Sequence, residues 1–170
     1  MAGKSLRGPI GYSPTGTTTV SLLGYLGPEQ AGSGNKRKGA EIMVLTKLGP
    51  KTALWIEGDV GSEDGLLNGG TDKASWAGIG TWLVQALSPT TNLALLGGEV
   101  NDKDGVRTRG IFGFSANSGL EFGDLTATLD LKGTPSVLIQ PDIRMDFADQ
   151  AVFDTSKSQV SFALGTPFLF

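Results

Sequence analysis

The chain has 170 residues, enough for one domain, with a formal net charge of −3, 26 Gly, 8 Pro and only 18% charged residues. It holds no Cys and no His, which excludes disulfides, thiolate metal sites, the commonest general base and the commonest transition-metal ligand. The acidic balance, with no basic stripe beyond Lys36, Arg37 and Lys38, removes the electrostatic basis for nucleic-acid binding.

No apolar run approaches the ~20 residues of a membrane helix, so any membrane insertion must use strands. The opening Met1-Ala-Gly-Lys4 lacks an apolar signal-peptide core, so the chain reads as a mature or engineered form. Taken in order, period-2 segments bounded by Gly, Pro, Ser and Asp predict a possible leading strand over 4–12, then strands over 17–27, 38–48, 52–61, 75–87 and 92–101. The segment 106–116 would extend a hairpin into a loop, and strands over 120–132, 136–147 and 158–170 complete the chain. Tight turns at 48–51, 88–91 and 132–135 alternate with longer polar loops at 28–37, 62–73, 101–119 and 148–157, the loop asymmetry of outer-membrane barrels. The expected fold is all-β, a single antiparallel up-and-down transmembrane β-barrel over 1–170 with eight strands, or alternatively ten.

The faces sharpen this reading. In 136–147, Val137, Ile139, Pro141, Ile143, Met145 and Phe147 alternate with Leu138, Gln140, Asp142, Arg144 and Asp146; in 120–132, Leu125, Ala127, Leu129 and Leu131 alternate with Asp124, Thr126, Thr128, Asp130 and Lys132. Such alternation suits a soluble barrel with an apolar, ligand-binding interior as well as an inverted membrane barrel. Scarce charge, and close mixing of both signs on the polar face, favour the inverted one. The expected lumen residues are Glu41, Lys47, Glu57, Asp59, Glu99, Asp124, Asp130, Lys132, Asp142, Arg144 and Asp146, where acids outnumber bases, so a pore would prefer cations. The expected lipid-facing residues are Val137, Ile139, Ile143, Met145, Phe147, Phe162, Leu164, Phe168 and Phe170. Strand 75–87 stays open, because Trp76, Gly78, Gly80, Trp82 and Val84 suit either face.

No chemistry-bearing constellation emerges. Asn101-Asp-Lys-Asp-Gly105 has acids at the spacing that begins a Ca²⁺ loop but lacks the later bidentate Glu, and reads as a turn. Asp142 and Asp146, four residues apart on one strand, lie about 13 Å apart, beyond the usual glycosidase separation. Gly97-Gly98 reads as a bend in a strand. No catalytic residue, metal or cofactor is expected. The expected partners are a lipid bilayer or detergent, and small ions or solutes.

Several segments resemble a known family. Trp76-Ala-Gly-Ile-Gly80, Leu93-Ala-Leu95, Glu99-Val-Asn-Asp-Lys-Asp-Gly105, Ile139-Gln-Pro-Asp-Ile-Arg-Met-Asp-Phe147 and Lys157-Ser-Gln-Val-Ser-Phe-Ala-Leu-Gly165 are similar, in the same order, to the C-terminal half of OmpL-like β-barrel porins. Gly11-Tyr-Ser-Pro14 and Tyr25-Leu-Gly-Pro-Glu29 resemble upstream hairpins of that family. The resemblance implies an outer-membrane barrel with a water-accessible interior that acts as a passive pore. Family members are longer and richer in Tyr and Trp, so the chain reads as a shortened form, an engineered or designed pore scaffold. The face Val160, Phe162, Leu164, Thr166, Phe168 and Phe170 closes on an aromatic residue, which resembles the terminal signal read by outer-membrane assembly machinery. Pro167 lacks a ladder donor, so pairing should weaken there.

Overall fold

A computed structural model describes residues 4–108 and 119–168. These form nine strands, β1 (Leu6–Thr15), β2 (Thr18–Pro28), β3 (Lys36–Lys47), β4 (Thr52–Leu67), β5 (Asp72–Ser88), β6 (Thr91–Asp102), β7 (Leu120–Thr134), β8 (Val137–Ala148) and β9 (Ser158–Gly165). They lie in a single sheet in sequence order, each antiparallel to the next. The all-β up-and-down reading therefore holds. The count exceeds eight by one because the leading segment is a full strand that reaches Thr15. Of the segment 106–116, Val106 to Thr108 lie in a turn and the remainder falls outside the described residues.

Connection length segregates by side. At one end Gly16-Thr17, 48–51, Pro89-Thr90 and Pro135-Ser136 make tight turns; at the other, 29–35, 103–119 and 149–157 are longer. The connection expected over 62–73 differs from that expectation. β4 and β5 continue outward as a ribbon and only 68–71 turns, with positive φ at Asn68 (49°), Gly69 (73°) and Gly70 (101°). Asn-Gly tolerates that left-handed path, and it pulls both arms into pairing. At the far end, β9 stops at Gly165 and its pairing with β8 resumes at Phe168 opposite Val137 in unchanged register, so the interruption sits at Thr166 and Pro167.

The register is continuous across the strand interiors, with shifts only beside hairpin ends, at Tyr12/Thr15, Glu63/Leu67, Ala86/Ser88 and Lys132/Thr134. Residues opposite one another share a face, so pairing propagates one polarity around the sheet. One face runs through Ile10, Leu22, Ile42, Ile56, Leu83, Leu95, Ala127, Ile143 and Phe162. It is apolar yet open to the surroundings, with Ile10 72% and Phe162 77% exposed. The buried hydrophobic residues among those described are only Ala74, Trp76 and Leu120. A water-soluble sheet would cover its apolar face with a second layer; nothing in the described chain covers this one. From Val137 to Phe147 the face spans roughly 33 Å along the strand, about 25 Å along the membrane normal at a tilt of ~40°, which matches the apolar belt of a membrane barrel.

Candidate functional site

The opposite face gathers the charges. Two neighbouring rows cross the sheet, Glu41, Asp59, Gly78, Val100 and Phe122 in one, and Met43, Glu57, Gly80, Gly98, Asp124 and Asp146 in the other. Carboxylates far apart in sequence are thereby set side by side. Where glycines interrupt the rows the face sinks into a hollow of ≈ 230 Å³ lined by Glu57, Asp59, Gly78, Gly80, Gly98 and Asp124. A Cβ at Gly78 would stand 2.6 Å from the Asp59 Oδ1, so a side chain there would displace that carboxylate and fill the hollow.

The two sides of the hollow differ electrostatically. On the β7 to β9 side, the Arg144 Nε donates to the Asp146 Oδ1 at 2.6 Å, and its Nη1 lies 3.7 Å from the Asp124 Oδ2. Asp146 also accepts from the Gln159 Nε2 at 2.9 Å, and Asp130 from the Gln140 Nε2 at 2.7 Å. On the β3 to β4 side, Glu41, Glu57 and Asp59 have no ion pair or hydrogen bond among the described residues. Glu57 and Asp59 thus stand without a bonded cation, whereas Glu41 shares its hollow with Arg7, Arg37 and Arg107.

The register places Glu41, Lys47, Glu57, Asp59, Asp124, Asp130, Lys132, Asp142, Arg144 and Asp146 together on this charged face. Glu99 departs from expectation: it pairs with Ile79 and Gly123 on the apolar face, toward the long-loop end of β6, where that face also bears Lys38 and Glu121. The unbroken β5/β6/β7 register sets its side, and proximity to the strand end makes a charge tolerable there. Val137, Ile139, Ile143, Met145, Phe147, Phe162, Leu164 and Phe168 lie on the apolar face; Phe170 lies outside the described residues. Trp76, Gly78, Gly80, Trp82 and Val84, open in the sequence, share the charged face with Glu57 and Asp59.

A second feature comes from residues the sequence pattern passed over. After β6 the chain turns back across the charged face. The buried Asp102 carboxylate accepts from the backbone N–H groups of Val106 (3.1 Å), Arg107 (2.7 Å) and Thr108 (2.7 Å) and from the Thr108 hydroxyl (2.9 Å). Asp104 accepts from the Ser75 backbone N–H at 2.8 Å, so both acids of Asn101-Asp-Lys-Asp-Gly105 are engaged by donors of the protein, as in a turn. This pinning sets the Arg107 guanidinium 4.9 Å over the Trp76 ring and beside Tyr25, Arg37 and Glu41. Tyr25 pairs with Gly39 and Trp76 with Gly61, glycines at which any side chain would collide with those rings. Beyond them the Arg37 Nε meets the buried Glu63 Oε2 at 2.6 Å, with the Gln30 Nε2 on its other oxygen at 3.1 Å. The long-loop end of the charged face is thus covered by aromatic rings and by the Val106 to Thr108 turn. An Asp followed four to six residues later by free N–H donors and a Thr is the one local signal that could have revealed it.

Residues 2–170 match the family model described as "Putative beta-barrel porin-2, OmpL-like". The chain belongs to this family. No curated protein gives a significant match. Among solved structures, the NanC porin in a rhombohedral crystal form is similar, with a TM-score of 0.60 and 12% identity, over 99% of this chain and 79% of that one. At that identity the likeness concerns the fold, and the porin family and fold agree with the inverted polarity of the sheet. An outer-membrane location goes with this porin family.

Proposed function

We propose that this OmpL-like porin is an outer-membrane channel whose water-filled side is the charged face and whose lumen favours cations. The observation that carries the reading is the inversion of the sheet: its large apolar residues are exposed on one face, while Glu41, Glu57 and Asp59 stand unpaired among the described residues on the other. Fixed carboxylates in a confined aqueous path raise the local cation concentration. Exposure of Ile139 and Ile143 counts against the soluble alternative, which needs them inside. The outward Phe162, Leu164 and Phe168 make the C-terminal strand the segment we assign to recognition by assembly machinery, and the same small sheet would serve as a compact pore scaffold.

Planar-bilayer recording of detergent-refolded protein tests this. The expected result is discrete conductance with a reversal potential of cation-selective sign under a KCl gradient, reduced by Glu57→Gln with Asp59→Asn. A folded, silent barrel would overturn the channel, and stable monomeric folding in buffer without detergent would overturn the membrane reading.

A further inference from the structure

Two of the three Trp side chains create an apolar corner on the charged face that the pore reading leaves unused. Trp55 and Trp82 face each other across β4 and β5, ring centroids 6.1 Å apart at 67°. They sit one row toward the tight turns from Glu57, with Leu45, Ala53 and Val84 around them, and line a hollow of ≈ 380 Å³. Trp55 is 39% and Leu45 44% exposed. Large apolar groups on the polar face of such a sheet lose hydrophobic stabilisation unless something covers them. Trp82 reaches over Gly80, where a Cβ would stand 2.8 Å from its ring, and so borders the glycine hollow too. Glu57 and Trp82 are therefore common to both hollows.

We propose that this corner is a binding subsite for an organic cation carrying an apolar group, the substrate class of the channel proposed above, on which reading the inference rests. The complementarity is of charge and surface together. The apolar part covers Trp55 and Val84, and the cationic head lies at Glu57 and Asp59, carboxylates with no other partner among the described residues, within reach of the indole faces for cation–π attraction. Lys47 borders Ala53 one row further toward the tight turns, which fixes the head toward the glycine hollow.

Isothermal titration of the refolded protein in detergent micelles with benzyltrimethylammonium, against protein-free micelles, tests the subsite. Saturable binding is expected, at least tenfold tighter than that of benzyl alcohol or benzenesulfonate. Glu57→Gln and Trp55→Leu should each weaken it about tenfold, while Trp55→Phe, which keeps a ring, should retain most of it; a heat-modifiable gel shift verifies that each variant folds. Equal binding of benzenesulfonate, or an unchanged affinity in folded Glu57→Gln, would overturn the subsite. Binding by a protein that passes no current keeps the subsite and removes the channel, whereas conductance without selective binding does the reverse.

Discussion

Asp102, the last residue of β6, organises the turn that follows it, because four donors converge on its carboxylate. Hydrogen bonds to a charged group contribute about 1.5–3 kcal/mol each when buried. Asp102→Asn keeps the shape but removes the charge and one acceptor oxygen, so the turn should loosen before the sheet does. The expected readout is faster amide hydrogen exchange at Val106 to Thr108, with the β-strands unchanged; uniform exchange across both would contradict the pinning role. Arg37 is the second such residue. Glu63 is 1% exposed, and Arg37→Ala would leave its carboxylate with Gln30 as its remaining side-chain partner. Stranding a buried charge costs about 3–5 kcal/mol, and the double change Arg37→Ala with Glu63→Gln should recover much of it in urea titrations of the detergent-folded protein.

Strand pairing converts these local facts into a polarity. Ile143 and Ala127 are cross-strand partners on the apolar face, and Thr128 and Asp142 are partners on the charged one. The same substitution at neighbouring register positions should therefore give opposite outcomes. Ile143→Arg is expected to lower the stability of the vesicle-folded protein by about 2–4 kcal/mol, as for a charge facing the bilayer midplane. Thr128→Arg, one residue along from Ala127 and opposite Asp142, should be close to neutral. Comparable losses at both positions would show that neither face meets lipid. Aromatic rings laid over glycines, Tyr25 on Gly39, Trp76 on Gly61 and Trp82 on Gly80, are the recurring device on the charged face. They fill space that backbone alone leaves open and cover glycine positions in the ladder.

For the molecule as a whole, nine strands in sequence order leave β1 and β9 at the two edges, running the same way, with no pairing between them among the described residues. The charged face carries Glu57 and Asp59 of β4 without a bonded cation and an Arg144-centred network at β7 to β9. Screening follows directly. The Debye length falls from about 10 Å at 0.1 M salt to about 3 Å at 1 M, so the cation preference of the proposed channel should be strong in dilute KCl and largely lost near 1 M. Reversal potentials measured at several mean concentrations with a constant gradient check this; a salt-independent preference would place selectivity in a narrow ligating filter instead.

The polarity of the sheet was legible in the sequence because a strand's side-chain period is two, so the alternations around Ile139 and Leu125 assign faces without any coordinates. The hairpin order and the tight turns followed from Gly and Pro placement for similar local reasons. Strand 75–87 could not be assigned that way: Trp76, Gly78, Gly80 and Trp82 carry no charge, and only their pairing with Gly61, Asp59, Glu57 and Trp55 decides their side. The side of Glu99 was likewise set by its neighbours Ile79 and Gly123, since a carboxylate near a strand end is tolerated on either face. The Arg37–Glu63 pair and the Trp55–Trp82 corner join residues tens of positions apart, whereas the turn on Asp102 is closed by donors only four to six residues away. Composition and spacing determined which residues alternate; the tertiary register alone decided which of them meet, because contact across strands depends on pairing that no local window contains.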